Sequence, residues 1–160
     1  MSSASGWFWL TLFAITTLAL PSAYILLLVH SGKVSDIHLP FRSERIRPLC
    51  FMLLTTTTVA LAARWYNAPN LVLLIGYATV IQTVLVLLIT LRWKISLHCL
   101  AAAELATICL YVFGLPALLS VFMVFVIAWS RLYLHRHTFY QTVVGSLLGV
   151  LIIWFVVQYQ

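Results

Sequence analysis

Of 160 residues, 64% are hydrophobic and 8% charged, more apolar surface than a soluble core of this chain length can hide, so the sequence describes a single integral membrane domain over 1–160. The net charge of +6 comes from basic residues gathered in short stretches between apolar runs rather than along one continuous face, which excludes nucleic acid as a partner and leaves the lipid bilayer. Cys50, Cys99 and Cys109 all lie inside apolar runs without a CxxC spacing and read as small buried hydrophobes, not as disulfides or metal ligands.

The apolar runs predict an all-α fold, an integral membrane bundle of six transmembrane helices over 7–30, 49–66, 71–91, 97–113, 116–134 and 138–159. The first run lacks a basic leader and is too long for a signal-peptide core, so it is expected to be retained as a span. Pro21 predicts a kink within it. The breaks fall at 31–48, at Asn67-Ala68-Pro69-Asn70, at 92–96, at Gly114-Leu115-Pro116 and at 135–137, and only the first is long. Thr55 to Thr58 form a polar run in the second span that is expected to bond back to its own helix carbonyls. Glu104, about two turns inside the fourth span, must be protonated, paired or wet. Gly145 and Gly149 make a GxxxG ridge on the last span, where another helix is expected to approach closely. Trp7, Trp9, Trp65, Tyr66, Trp93 and Tyr159 stand at span ends, as interfacial anchors do.

Helices that cross in succession put the first, third and fifth connections on one side of the membrane. Those connections carry Lys33, Arg42, Arg45, Arg47, Arg92, Lys94, Arg131 and Arg136, all but Arg64 of the nine Lys and Arg residues. His38, His98, His135 and His137 join them. Either the positive-inside rule places this face in the cytoplasm, or a phosphate site gathered the charges.

Three clusters lie on this face: Asp36 to Pro48 before the second span, Trp93 to His98 entering the fourth, and Ser130 to Gln141 between the fifth and sixth. Arginine presents a planar fork of donors suited to phosphate oxygens, and a neutral histidine nearby can attack phosphorus or move a proton. Ionisable groups between membrane-length segments are costly and usually functional. The combination points to phosphoryl chemistry at a membrane surface.

The order and spacing of the three clusters resemble the type 2 phosphatidic acid phosphatase (lipid phosphate phosphatase) superfamily, a six-helix membrane fold with the signatures KxxxxxxRP, PSGH and SRxxxxxHxxxD. Ser130, Arg131 and His137 match the third signature, with Gln141 where the family has an acid. Ser96 and His98 hold their places in the second, while Ile95 and Leu97 replace Pro and Gly. In the first, Arg47-Pro48 supplies the RP but Pro40 stands in the lysine position, and Arg42-Ser43-Glu44-Arg45 is similar to the RxxR form of small bacterial members. The resemblance covers about residues 36 to 149. It implies that His137 is the nucleophile that forms a phosphohistidine and that His98 protonates the leaving alkoxide. It also implies that Arg131, Ser96, Lys94 and the arginines Arg42, Arg45 and Arg47 cradle the phosphate oxygens without metal or cofactor. Gln141, one helical turn beyond His137, can orient the ring through its amide oxygen but cannot offset an imidazolium charge.

Each residue has a plainer reading. Arg131 and Arg136 suit interfacial anchors, His98 an interhelical hydrogen bond, Ser96 an N-cap, and Arg92 and Lys94 topology charges. The joint occurrence of Ser96, His98, Arg131 and His137 favours the phosphate site. The expected activity is metal-independent hydrolysis of a phosphorylated membrane lipid: a polyprenyl (di)phosphate, phosphatidic acid, phosphatidylglycerol phosphate or a lipid A phosphate. The alternatives are a lipid phosphotransferase using the same intermediate and a noncatalytic lipid-phosphate binding or transport protein. The resemblance implies the cell (inner) membrane with the active face outward, against the charge count.

Overall fold

The computed structural model describes residues 3–158, with side chains from residue 6 onward; Tyr159, one of the expected anchors, lies outside the described residues. The helices gather into two compact units, Met1–Trp93 and Lys94–Gln160.

In the N-terminal unit, α1 (Ser3–Ala14) runs through a π segment (Ile15–Ala19) into α2 (Leu20–His30), followed by α3 (Arg42–Trp65) and α4 (Asn70–Thr90). The widened turn lies just ahead of Pro21. The Leu20 N–H reaches back to the Ile15 carbonyl, and in that register Pro21, which has no N–H, is the residue that would have served the Thr16 carbonyl. That carbonyl accepts instead from Thr55 Oγ1 of α3 at 3.3 Å. The single hydroxyl proton is shared with Met52 O at 3.0 Å, and Thr56 and Thr58 bond back to Met52 O and Leu54 O of their own helix. Trp9, Phe13, Val59, Ala60, Ala63, Ala68 and Val72 close the core of the unit. Phe13 is admitted by Gly76, where a Cβ would sit 2.8 Å from its ring.

Helix α3 begins well before the expected start at residue 49. Pro48 reads as a break in sequence, but its fixed φ suits a helix and the chain passes through it with one backbone bond forgone. The first turn is tied down from outside, since the Glu44 carboxylate accepts from both the N–H and the hydroxyl of Ser35. Arg42 and Arg45 therefore stand on helical turns and not in a loop.

In the C-terminal unit, α5 (Leu97–Phe113) leads through Gly114, at φ +66°, and a short 3₁₀ turn (Leu115–Ala117) into α6 (Leu118–Tyr133), and α7 (Phe139–Gln158) completes it. Helix α5 packs on both α6 and α7. Its contact with α7 is backbone to backbone: a Cβ on Gly149 would lie 2.4 Å from Leu100 O, and one on Gly145 would lie 2.7 Å from Ser96 O. The helix expected to approach the GxxxG ridge is thus α5, and only glycine fits at both crossings.

The chain is all-helical among the described residues, and five of its helices, Gly6–His30, Arg42–Trp65, Asn70–Thr90, Leu115–Tyr133 and Phe139–Gln158, are long and apolar enough to cross a membrane. It is a multi-pass membrane protein. Helix α5 is shorter, at 17 residues.

The glycine contact yields a direct expectation. Gly149→Ala drives a methyl into the Leu100 carbonyl and is expected to destabilise the protein by about 1–3 kcal/mol. Gly6→Ala, with nothing within 4 Å of the added carbon, is expected to keep or raise stability. Thermal unfolding of the two variants in the same detergent checks the difference.

Candidate functional site

Helix α6 carries Ser130 and Arg131 in its last turn and ends in a Schellman motif. The Arg136 N–H bonds Arg131 O at 3.1 Å, the His135 N–H bonds Leu132 O at 2.9 Å, and His135 itself adopts φ 51°. Histidine is among the non-glycine residues that tolerate this left-handed conformation best. The turn delivers the chain to His137, immediately before the first residues of α7.

Helix α7 opens with a reciprocal capping box that the sequence spells as Thr138-Phe139-Tyr140-Gln141. Thr138 Oγ1 accepts from the Gln141 N–H at 3.4 Å, and Gln141 Oε1 accepts from the Thr138 N–H at 3.2 Å. The same Oε1 lies 3.1 Å from His137 Nδ1. Because the backbone N–H of Thr138 can only donate, the amide atom facing it is the oxygen. His137 Nδ1, facing the same oxygen, then carries the proton, and the ring lone pair is on Nε2.

Helix α5 contributes from its N-terminus. Ser96, fully buried, is the N-cap, its Oγ accepting from the Cys99 N–H at 3.4 Å, while its own N–H bonds Gln141 O at 3.1 Å. That bond ties the start of α5 to the first turn of α7, so Ser96, Gln141 and His137 are brought together. His98 stands exposed in the first turn of α5, and Lys94 is half-buried just before it. The Arg131 guanidinium lies within electrostatic range of the buried Cys99 near the start of α5. Its Nε is buried and, among the described residues, is the one buried side-chain nitrogen or oxygen without a hydrogen-bond partner. A buried donor left unmade costs about 1–3 kcal/mol, more when charged. An oxyanion would satisfy it.

The arginines of the first cluster belong to the N-terminal unit. Arg42 Nη1 donates to Arg92 O at 2.8 Å and Leu91 O at 3.3 Å, closing the C-terminal end of α4. Arg45, buried, donates from Nε to Leu39 O at 3.1 Å. Arg47 is exposed. Asp36 and His38 pair locally, Oδ1 to Nδ1 at 2.6 Å. Glu104 is buried midway along α5, its backbone N facing Gly149. No group of three or more His, Cys, Asp or Glu among the described residues is arranged to hold a metal ion.

Thr138 is the residue missed from the sequence, although its signal was available in the T-x-x-Q spacing ahead of an apolar run. Compared with family models, characterised proteins and solved structures, the chain matches none.

The orphaned Nε gives the site its test. Arg131→Met removes the unmade donor and is expected to leave the melting temperature unchanged or raise it. The same change is expected to abolish any stabilisation of the wild type by a phosphate-bearing lipid, read by thermal shift with and without that lipid.

Proposed function

We propose that this protein is a metal-independent phosphatase of the cell (inner) membrane that removes phosphate from a phosphorylated membrane lipid through a phosphohistidine on His137. In this reading α5 is a sixth span. Its 17 residues reach about 25 Å, most of a ~30 Å hydrocarbon core. The observation that carries the proposal is the pairing, within one helical unit, of a histidine whose Nδ1 proton is fixed by Gln141 and an arginine whose buried Nε has no partner. The first is a nucleophile held in its reactive tautomer, and the second is a charged donor waiting for an acceptor.

The chemistry runs in two balanced steps. The His137 Nε2 lone pair attacks phosphorus, the N–P bond forms as the P–O bond to the lipid breaks, and the leaving alkoxide takes a proton from His98. Water then attacks the phosphohistidine, giving one proton to His98, and inorganic phosphate leaves with His137 restored. Arg131 meets the charge on the nonbridging oxygens. Lys94, just before α5, adds positive potential. An acceptor hydroxyl in place of water makes the same site a phosphotransferase. Gln141 favours a second reading, a noncatalytic lipid-phosphate binder or transporter, because a neutral amide does not offset the charge of a phosphoimidazolium.

Phosphate release from a panel of lipid phosphates is expected to survive chelation and to disappear in His137→Ala, with acid-labile, base-stable phosphate trapped on the wild type. Loss of His98 is expected to be partly rescued by a substrate with an activated aryl leaving group. Binding without release would decide for the second reading. The active face is proposed to be outward. A cysteine introduced at Ser35, in a background without Cys50, Cys99 and Cys109, is expected to react with an impermeant reagent on intact cells, and protection until lysis would reverse the orientation.

A further inference from the structure

The capping box at the start of α7 does more than begin a helix. We infer that Thr138 is a positioning residue for His137, acting through Gln141: the hydrogen-bonded box selects the ring tautomer with its proton on Nδ1 and its lone pair on Nε2.

A histidine side chain free in water prefers the opposite arrangement, with the proton on Nε2, so something must hold the ring in the other form. A glutamine amide does not do this by itself, because it can turn over and present its NH₂ group instead of its oxygen. Turned over, it would face Nδ1 with a donor and draw the lone pair to that nitrogen, leaving the proton on Nε2. In this structure the turn is blocked by two bonds. The Thr138 N–H, 3.2 Å from Oε1, requires an acceptor there. The Thr138 hydroxyl, accepting from the Gln141 N–H at 3.4 Å, closes the first turn so that the Gln141 side chain lies back over Thr138 and His137. Thr142 N–H bonds Thr138 O at 3.2 Å and continues the helix from the same residue. The ring, Nδ1 at 3.1 Å, meets an oxygen whose direction has already been decided by backbone.

The box also accounts for a glutamine at 141. Position N3 of a capping box takes Glu or Gln, whose side chains reach the N-cap N–H, whereas Asp is one methylene shorter. A side chain that both closes the box and touches the preceding histidine has to be one of the two longer ones. Gln141→Glu is then the substitution that keeps the geometry and adds a charge, and Gln141→Asp is one that does not.

The inference needs the phosphatase reading only for its kinetic consequence; the tautomer itself is measured without any substrate. Ring ¹⁵N spectra of full-length protein in lipid nanodiscs, with His137 assigned by its loss in His137→Ala, are expected to show the Nδ1–H form in the wild type. They are expected to show it again in Thr138→Ser and Gln141→Glu, and a shift toward the Nε2–H form in Thr138→Val and Gln141→Leu. Circular dichroism confirms that the variants remain helical. Where hydrolysis is measurable, Thr138→Val is expected to lower kcat about fivefold at little change in KM, the size of a lost N-cap, with Thr138→Ser restoring it. An Nε2–H ring in the wild type, or an unaltered tautomer in a folded Thr138→Val, overturns the inference. A correct tautomer in a protein that releases no phosphate leaves it standing and overturns the phosphatase reading instead.

Discussion

The C-terminal unit depends on one contact, the meeting of the α7 and α5 backbones at Gly145 and Gly149. A methyl at either glycine would fall inside the van der Waals contact distance of a carbonyl oxygen, 2.7 Å from Ser96 O or 2.4 Å from Leu100 O. In lipid, where apolar side chains gain little by leaving the bilayer, close backbone approach and its dispersion contacts are a main source of helix association. Here the approach also sets the site. Gly145 lies one turn after Gln141, and the carbonyl it meets belongs to Ser96, whose N–H bonds Gln141 O. The distance between the two helix starts that carry His98 and His137 is thus set by residues with no chemistry of their own.

A second thread is the treatment of backbone carbonyls that lose their helical partners. In an apolar surround an orphaned carbonyl is expensive, and three carbonyls at helix irregularities here are met by a side chain of a neighbouring element. Thr55 serves the Thr16 carbonyl stranded beside Pro21, and Arg42 serves the carbonyls of Leu91 and Arg92 past the end of α4. The second case gives an arginine of the phosphate-like cluster a structural task that hydropathy and motif spacing do not reveal.

Much of this was legible from residues alone, for physical reasons. Hydropathy placed the bounds of α5 as observed and those of α4, α6 and α7 within a few residues, because a helix in lipid must be continuously apolar. The reach of Gln141 to His137 followed from helical spacing. The early start of α3 did not, since Pro48 reads as a break and is here accommodated inside the helix at the loss of one backbone bond. The π segment was unreadable because the choice between i−4 and i−5 bonding depends on a tertiary partner, Thr55, thirty-nine residues away. The turn at His135 was equally hidden: a left-handed C′ residue is announced by glycine, and this one is not glycine. Ser96 was legible both as a cap and as a motif residue, and its burial and bond to Cys99 display the first of these.

The Schellman turn leaves the connection between α6 and α7 without slack. Arg136 N–H is bonded to Arg131 O, His135 N–H to Leu132 O, and the next two residues are already held by the capping box. Surface connections usually absorb an added or deleted residue by bulging outward, but most of the stretch from Arg131 to Gln141 is here inside a helix or bonded into one of its terminations. The number of residues separating the guanidinium from the imidazole is therefore a geometrical quantity, like the tooth count between two gears, and a change of one would shift His137 relative to Arg131 while leaving its place at the start of α7 the same.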